Sequence, residues 1–201
     1  MTAHTDQPGG IRRRRPSNPG SLAGTAKAAE AKVEHALLIL WDELEEWRRD
    51  NAFIQRGYRR TSNSYRACAA SLAYLHNESV NIWSHLLGAV FFSALGLWLL
   101  RRFFYAAVAV AVVVADKADV LAFACFFAGA FLCLGMSATF HAVINHSPGV
   151  AKWGNKLDYS GIVFLIVGSY VPALYYGFRC DPPLMRIYLS AVSLRRAHVT
   201  P

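Results

Sequence analysis

The sequence has no CxxC pair, no N-terminal signal peptide and little charge beyond its first third. Each absence removes a class of protein. The four cysteines (Cys68, Cys125, Cys133 and Cys180) are scattered through or beside apolar stretches, so neither a zinc ribbon nor a disulfide scaffold is indicated. The first apolar stretch long enough to matter starts after Asn81, so no cleaved leader is expected. Charged residues make up only 17%, and acidic groups (13) are outnumbered by basic ones (21), for a net charge of +8. Twelve of the 21 Lys and Arg fall between Arg12 and Arg66. A nucleic-acid binder would carry its basic residues on a folded face rather than in a tail, so no nucleic-acid partner is expected. IRRRRPSN reads as a solvated tail, a localisation patch or a contact for anionic lipid.

What is present is apolar: 54% hydrophobic and 13% aromatic residues. The composition predicts an all-α, multi-pass transmembrane bundle, preceded by a disordered basic tail (1–25) and a cytoplasmic amphipathic and juxtamembrane segment (26–80). Within that segment Val33, Leu37, Leu40, Trp41, Leu44 and Trp47 recur at helical spacing. Glu45 and Arg49 add an i,i+4 pair. The membrane region (81–201) contains spans over 82–100, 120–142 and 157–178, and a partial fourth over 184–193. Ile82 to Leu100 covers about 28 Å at 1.5 Å per residue, close to the hydrocarbon thickness. Phe103 to Val114 is about a dozen apolar residues, too short to span alone: an interfacial segment or an extension of the first helix. Gly129 and Gly135 in the second span, and Gly161, Gly168 and Ser169 in the third, are expected helix-contact points, and Pro172 a kink. The basic front places the N-terminus in the cytoplasm of a plasma-membrane or endomembrane protein.

This topology brings Asn77, Glu78, His85, Ser137, His141 and Asp158 to one membrane face. Ser137 and His141, four residues apart, share a helix face. Ionisable groups at the ends of lipid-length helices are functional candidates by default, although a histidine there also snorkels to the interface without further role. Metal chemistry would need three protein ligands and an open position. His141 is one plausible ligand, His146 falls beyond the helix end, and His85 is accounted for by capping and interfacial hydrogen bonds. Spacing alone gives no complete ligand set.

The stretches HNESVNIWSHLLGA, SATFHAVINHS and NKLDYSGIVFLIVGSYVPALYYGF resemble the adiponectin receptor and haemolysin III-related (progestin and adipoQ receptor) membrane proteins, in particular their fungal members. So does DNAFIQRGYRRTSNSYRAC before the first span. The likeness covers roughly Trp41 to Ser190. It implies a seven-helix fold with a cytoplasmic N-terminus and a zinc ion near the cytoplasmic face. It further implies His141 as a zinc ligand, Asp158 on the zinc-bound water, and Ser137 beside the site. The implied activity is zinc-assisted hydrolysis of the amide in ceramide-like lipids, with links to lipid and metal homeostasis. Membrane lipids and a ceramide or sterol-like ligand are the implied partners. Glu78 and Asn81 match the family's opening motif and are assigned to structure.

The sequence departs from the pattern at its end. The family's other two zinc ligands form an HxxxH pair on the last helix, and here His198, in SLRRAHVTP, has no partner at that spacing. The chain reads as a C-terminally truncated product: a fragment, an unspliced gene model or a short isoform. A seven-helix-type receptor and an inactive regulatory fragment are the alternative functions. Its helix faces, lacking their neighbours, are expected to oligomerise.

Overall fold

The computed structural model describes residues 24–25, 37–109 and 116–194. The basic tail apart from Gly24 and Thr25, residues 26–36 of the expected amphipathic helix, residues 110–115, and the end with His198 lie outside these. The chain divides into two units at Leu38, and the membrane-length helices all lie in the second, Ile39–Pro201.

That unit opens on a small water-facing module. Strands β1 (Leu38–Leu40) and β2 (Arg56–Arg59) form a two-stranded sheet. Two 3-10 turns, Trp41–Glu43 and Glu46–Arg48, lie between them. This corrects the amphipathic helix from Leu38 onward. Among the described residues of its apolar stripe only Leu44 is fully buried, together with Ile39 and Tyr58 in a core that Trp41 flanks. The partner strand is non-local, so helical spacing in the stretch cannot reveal it. Nor do Glu45 and Arg49 pair. Glu45 reaches Arg48 at 3.6 Å, while Arg49 donates to the Leu44 and Asp42 carbonyls.

A short helix α1 (Tyr65–Ala70) follows, its start satisfied by Ser64, whose hydroxyl accepts from the Ala67 amide. Then come α2 (Ser79–Ala109), α3 (Lys117–Val143), α4 (Pro148–Gly177) and α5 (Pro182–Leu194). Three of these, α2 to α4, are long and apolar enough to cross a membrane. Over 103–109, the described part of the 103–114 stretch, the second reading holds: α2 runs on through Arg101 and Arg102 to Ala109. Helix α3 starts at a reciprocal cap, with Asp116 accepting from the Lys117 amide and Asp119 from the Asp116 amide. Helix α4 begins nine residues before the expected 157, with Ser147 at the cap and Pro148 in its first turn, where a missing N–H costs nothing. Lys152, Asn155 and Lys156 read as loop from their polarity, yet they extend the helix past its apolar part. Helix α5, about 20 Å long, is too short to span.

Helix α3 packs along both α2 and α4. Against α4 the backbones themselves meet. A Cβ on Gly129 would stand 2.7 Å from the Phe164 carbonyl oxygen, one on Gly161 3.0 Å from the Cys133 Cα, and one on Gly168 2.5 Å from the Cys125 carbonyl oxygen. These contacts keep one antiparallel register along the whole seam. Gly135, expected as a contact point, has nothing within 4 Å of its would-be Cβ.

Gly168→Ala is therefore expected to destabilise the bundle by about 1–3 kcal/mol through overpacking. Gly135→Ala should be neutral, or stabilising by up to about 1 kcal/mol from helix propensity. Thermal unfolding of the two variants in detergent distinguishes them.

Candidate functional site

The site forms where the water-facing module meets the start of α2 and the end of α3. The module is shaped to fit. Gly57, with φ of +88°, turns the backbone so that its carbonyl accepts the Asn77 amide at 2.8 Å. Two residues on, Arg59 is only 1% exposed. Its guanidinium donates to the carbonyls of His141 (2.6 Å) and Ala142 (3.0 Å) and to the Ser71 hydroxyl (2.8 Å). The last carbonyls of a helix have no partner within the helix. Here a buried arginine supplies one, and neighbouring residues extend the clamp: the Ser62 and Asn63 amides donate to the Asn145 and His146 carbonyls, and Asn145 Nδ2 donates to the Arg60 carbonyl. Burial draws the Arg59 pKa down to about 10, against the supporting charge of Glu78, which leaves it cationic at neutral pH.

Glu78, immediately before α2, is the second anchor. His141 Nδ1 lies 2.8 Å from its Oε2, Asn81 Nδ2 donates to the same oxygen at 3.0 Å, and Asn77 Nδ2 donates to Oε1 at 2.9 Å. Burial pushes this carboxyl up, but the hydrogen bonds from His141 and Asn81 and the charges of His141 and Arg59 outweigh it, so Glu78 titrates below the ordinary carboxylate range. An ionised Glu78 accepts, so the His141 proton sits on Nδ1, leaving Nε2 as the basic ring nitrogen. Glu78 is in turn held by its own amide, which donates to His76 Nδ1 at 3.1 Å. Burial first, and the Arg59 charge second, draw the His76 pKa down to about 4.

A second tier lies deeper. The His85 ring stands 6.3 Å from that of His141, nearly edge-on. On the α3–α4 seam Gly154 meets Phe140 and Gly161 meets Cys133, a register that sets Asp158 level with Met136 and Ser137. Ser137 is buried and Asp158 half-buried. The structure thus joins His141 to Glu78 and places Ser137, His85 and Asp158 about one turn, roughly 5–6 Å, further along the bundle. His146 is not part of either tier: it stacks on Tyr65 with ring centroids 4.2 Å apart, and its Nδ1 lies 3.0 Å from the Ser147 hydroxyl. Among the described residues no group of three or more His, Cys, Asp or Glu side chains is placed to hold a metal ion. The described donors do not by themselves fit a closed zinc site.

Glu78 and Arg59 are the members that reading the sequence undervalued. An acidic residue at the N-terminus of a lipid-length helix is favoured there by the helix dipole, which disguises its role as a partner for His141. Removing the clamp by Arg59→Gln leaves buried carbonyls unpaired and should cost about 3 kcal/mol, with Arg59→Lys restoring part of it. A lower melting temperature and faster proteolysis around Arg60 and Arg66 would report it. Because His76 is neutral in the fold, its contribution is complete above pH 6.5. It is lost as pH falls from 6.5 toward 4, by up to about 3 kcal/mol. His76→Gln should flatten the melting temperature across that range.

Residues 73–197 match the family described as Haemolysin-III related. The chain is 40% identical over 181 residues to the adiponectin receptor protein of Drosophila melanogaster, an alignment covering 87% of this chain and 39% of that protein. It is 45% identical over 168 residues to the ADIPOR-like receptor IZH2 of Saccharomyces cerevisiae (78% and 47%). It is 41% identical over 161 residues to the progestin and adipoQ receptor-like protein 1 of Caenorhabditis elegans (78% and 34%). The chain thus spans less than half the length of these relatives. With its three membrane-length helices and a polar cluster at their shared end, it belongs to the haemolysin-III-related, adiponectin-receptor-like family of membrane proteins.

Proposed function

We propose that this chain carries one part of a hydrolytic site for ceramide-like lipid amides, in which His141 contributes one ligand to a zinc ion. The observation behind this reading is the Glu78–His141 pair, at 2.8 Å. Metal-binding histidines characteristically donate a hydrogen bond from the N–H of their second ring nitrogen to a carboxylate, a carbonyl or water, which sets the tautomer and the ring orientation. Glu78 does this for His141, and its own remaining oxygen is occupied by Asn77. Such an arrangement would be elaborate for a histidine that merely reaches the interface. Asp158 and Ser137, one turn deeper on facing helices, are the residues proposed to serve the reaction. A catalytic zinc needs three protein ligands, so the others must come from outside the described residues.

A receptor function is the second reading, and a specific observation favours it. Arg59 ties the water-facing module directly to the last turn of α3, so movement of either is felt by the other. Relatives named as receptors accord with it.

Zinc content of the purified, detergent-solubilised chain tests the first reading. Zinc above the level of His141→Ala is expected, weakened about 10–100-fold in affinity by Glu78→Gln. Zinc no higher than in His141→Ala would overturn it for this chain. Release of fatty acid from a ceramide, abolished by Asp158→Asn, tests the reaction separately.

A further inference from the structure

Two stretches at the His141 end of the bundle are one-sided in charge. Between Arg56 and Asn77, and again between Val143 and Leu157, the chain carries six basic residues and no Asp or Glu. Arg59 is consumed in the clamp. The other five, Arg56, Arg60, Arg66, Lys152 and Lys156, are exposed, and none forms an ion pair among the described residues. The module's own carboxylates, Asp42, Glu43, Glu45, Glu46 and Asp50, all precede β2, and Glu45, which reaches the loop, is committed to Arg48 and Thr61. The opposite end differs: Asp116, Lys117, Asp119, Arg179 and Asp181 mix both signs there, and Arg179 lies 3.7 Å from Asp119.

Helix length sets the depth of these cations. Helix α4 has 30 residues, about 45 Å, against a hydrocarbon core of about 30 Å. Its stretch from Tyr159 to Gly177 contains no charged residue, so the excess of about ten residues is Pro148–Leu157, which carries Lys152 and Lys156 one turn apart. The 60–66 loop is brought to the same level by its bonds to Asn145 and His146 and by the Tyr65–His146 stack. Tyr65 and Trp153, 61% and 60% exposed, flank the cations with amphipathic rings of the kind that settle among headgroups.

We propose that this end of the bundle is a docking surface for the phosphate headgroups of anionic phospholipids, held by Lys152, Lys156, Arg60 and Arg66. A lipid rather than a soluble anion is favoured by depth: unpaired cations on an overhanging helix face the layer where headgroups lie, and aromatic rings beside them contact the upper acyl chains. The surface is distinct from the His141–Glu78 pair and does not depend on metal or on hydrolysis.

The test uses the full 201-residue chain in neutral detergent, with phosphatidylglycerol or phosphatidylcholine added and the retained lipid counted by native mass spectrometry. Phosphatidylglycerol should be retained preferentially. The preference should fall about tenfold in the Lys152→Gln/Lys156→Gln variant and decline with added salt. Lys152→Arg/Lys156→Arg should keep it, and Arg101→Gln/Arg102→Gln should leave it unchanged. Equal retention of the two lipids would overturn the proposal, as would an equal loss in the Arg101/Arg102 variant. So would displacement of the lipid by inorganic phosphate beyond the effect of chloride at matched ionic strength. Melting temperatures within a few degrees of the parent confirm that the Lys→Gln variant is folded, and the salt series gives the same answer on the unaltered chain.

Discussion

A guanidinium removed from water holds this structure together. Burying an isolated cation is prohibitive, and Arg59 is tolerated only because three oxygen acceptors surround it: two helix-end carbonyls and a hydroxyl. The dependence runs both ways. The end of α3 has terminal carbonyls that are partly buried and need donors, and the module supplies them. Arg48, itself nearly buried, donates to the Arg59 carbonyl at 2.7 Å and so fixes the backbone from which Arg59 reaches. Two arginines in series join an 11-residue reach of the module to a helix that starts nearly sixty residues later. The polar layer around His141 is built on that joint.

The helical architecture was legible because lipid sets a coarse rule. A run of about 20 apolar residues is conspicuous, and α2, α3 and most of α4 obey it. Polar overhangs do not obey it, which is why the first nine residues of α4 read as loop. The module was misread for a different reason. Leu37, Leu40, Trp41, Leu44 and Trp47 do repeat at helical intervals, but the residues between them, Leu38 and Ile39, are also apolar, and a strand partner at Arg56–Arg59 outweighs the local periodicity. Within the candidate site, His141, Ser137 and Asp158 stand out by position, and the roles proposed for them rest on the family resemblance. Glu78 could be located but not given its task, because the contact crosses 63 positions of chain and no local pattern encodes it.

Two kinds of electrostatics meet at this end of the bundle. Inside, charge is matched group by group: Glu78 has its oxygens occupied by Asn77, Asn81 and His141, and Arg59 feels its field. Outside, basic residues stand without carboxylate partners. The first arrangement fixes the rotamer and tautomer of a single imidazole. The second acts on whatever surrounds the protein and is graded by ionic strength. Keeping them apart is the work of the 143–147 turn, whose backbone is committed to the clamp and whose side chains, apart from Asn145 and His146, are not.

The glycine seam between α3 and α4 has a kinematic meaning. Sliding α4 by one turn, about 5.4 Å, would put Leu157 and Phe164 where Gly161 and Gly168 now touch backbone, and no rotamer relieves that collision. The two helices are denied a piston stroke and must travel as one body. His141 and Asp158 ride on opposite halves of that body and keep their spacing. Glu78, immediately before α2, and His85, within it, lie outside that body. Of the groups around the imidazole, these two are therefore the ones whose distance a tilt can change.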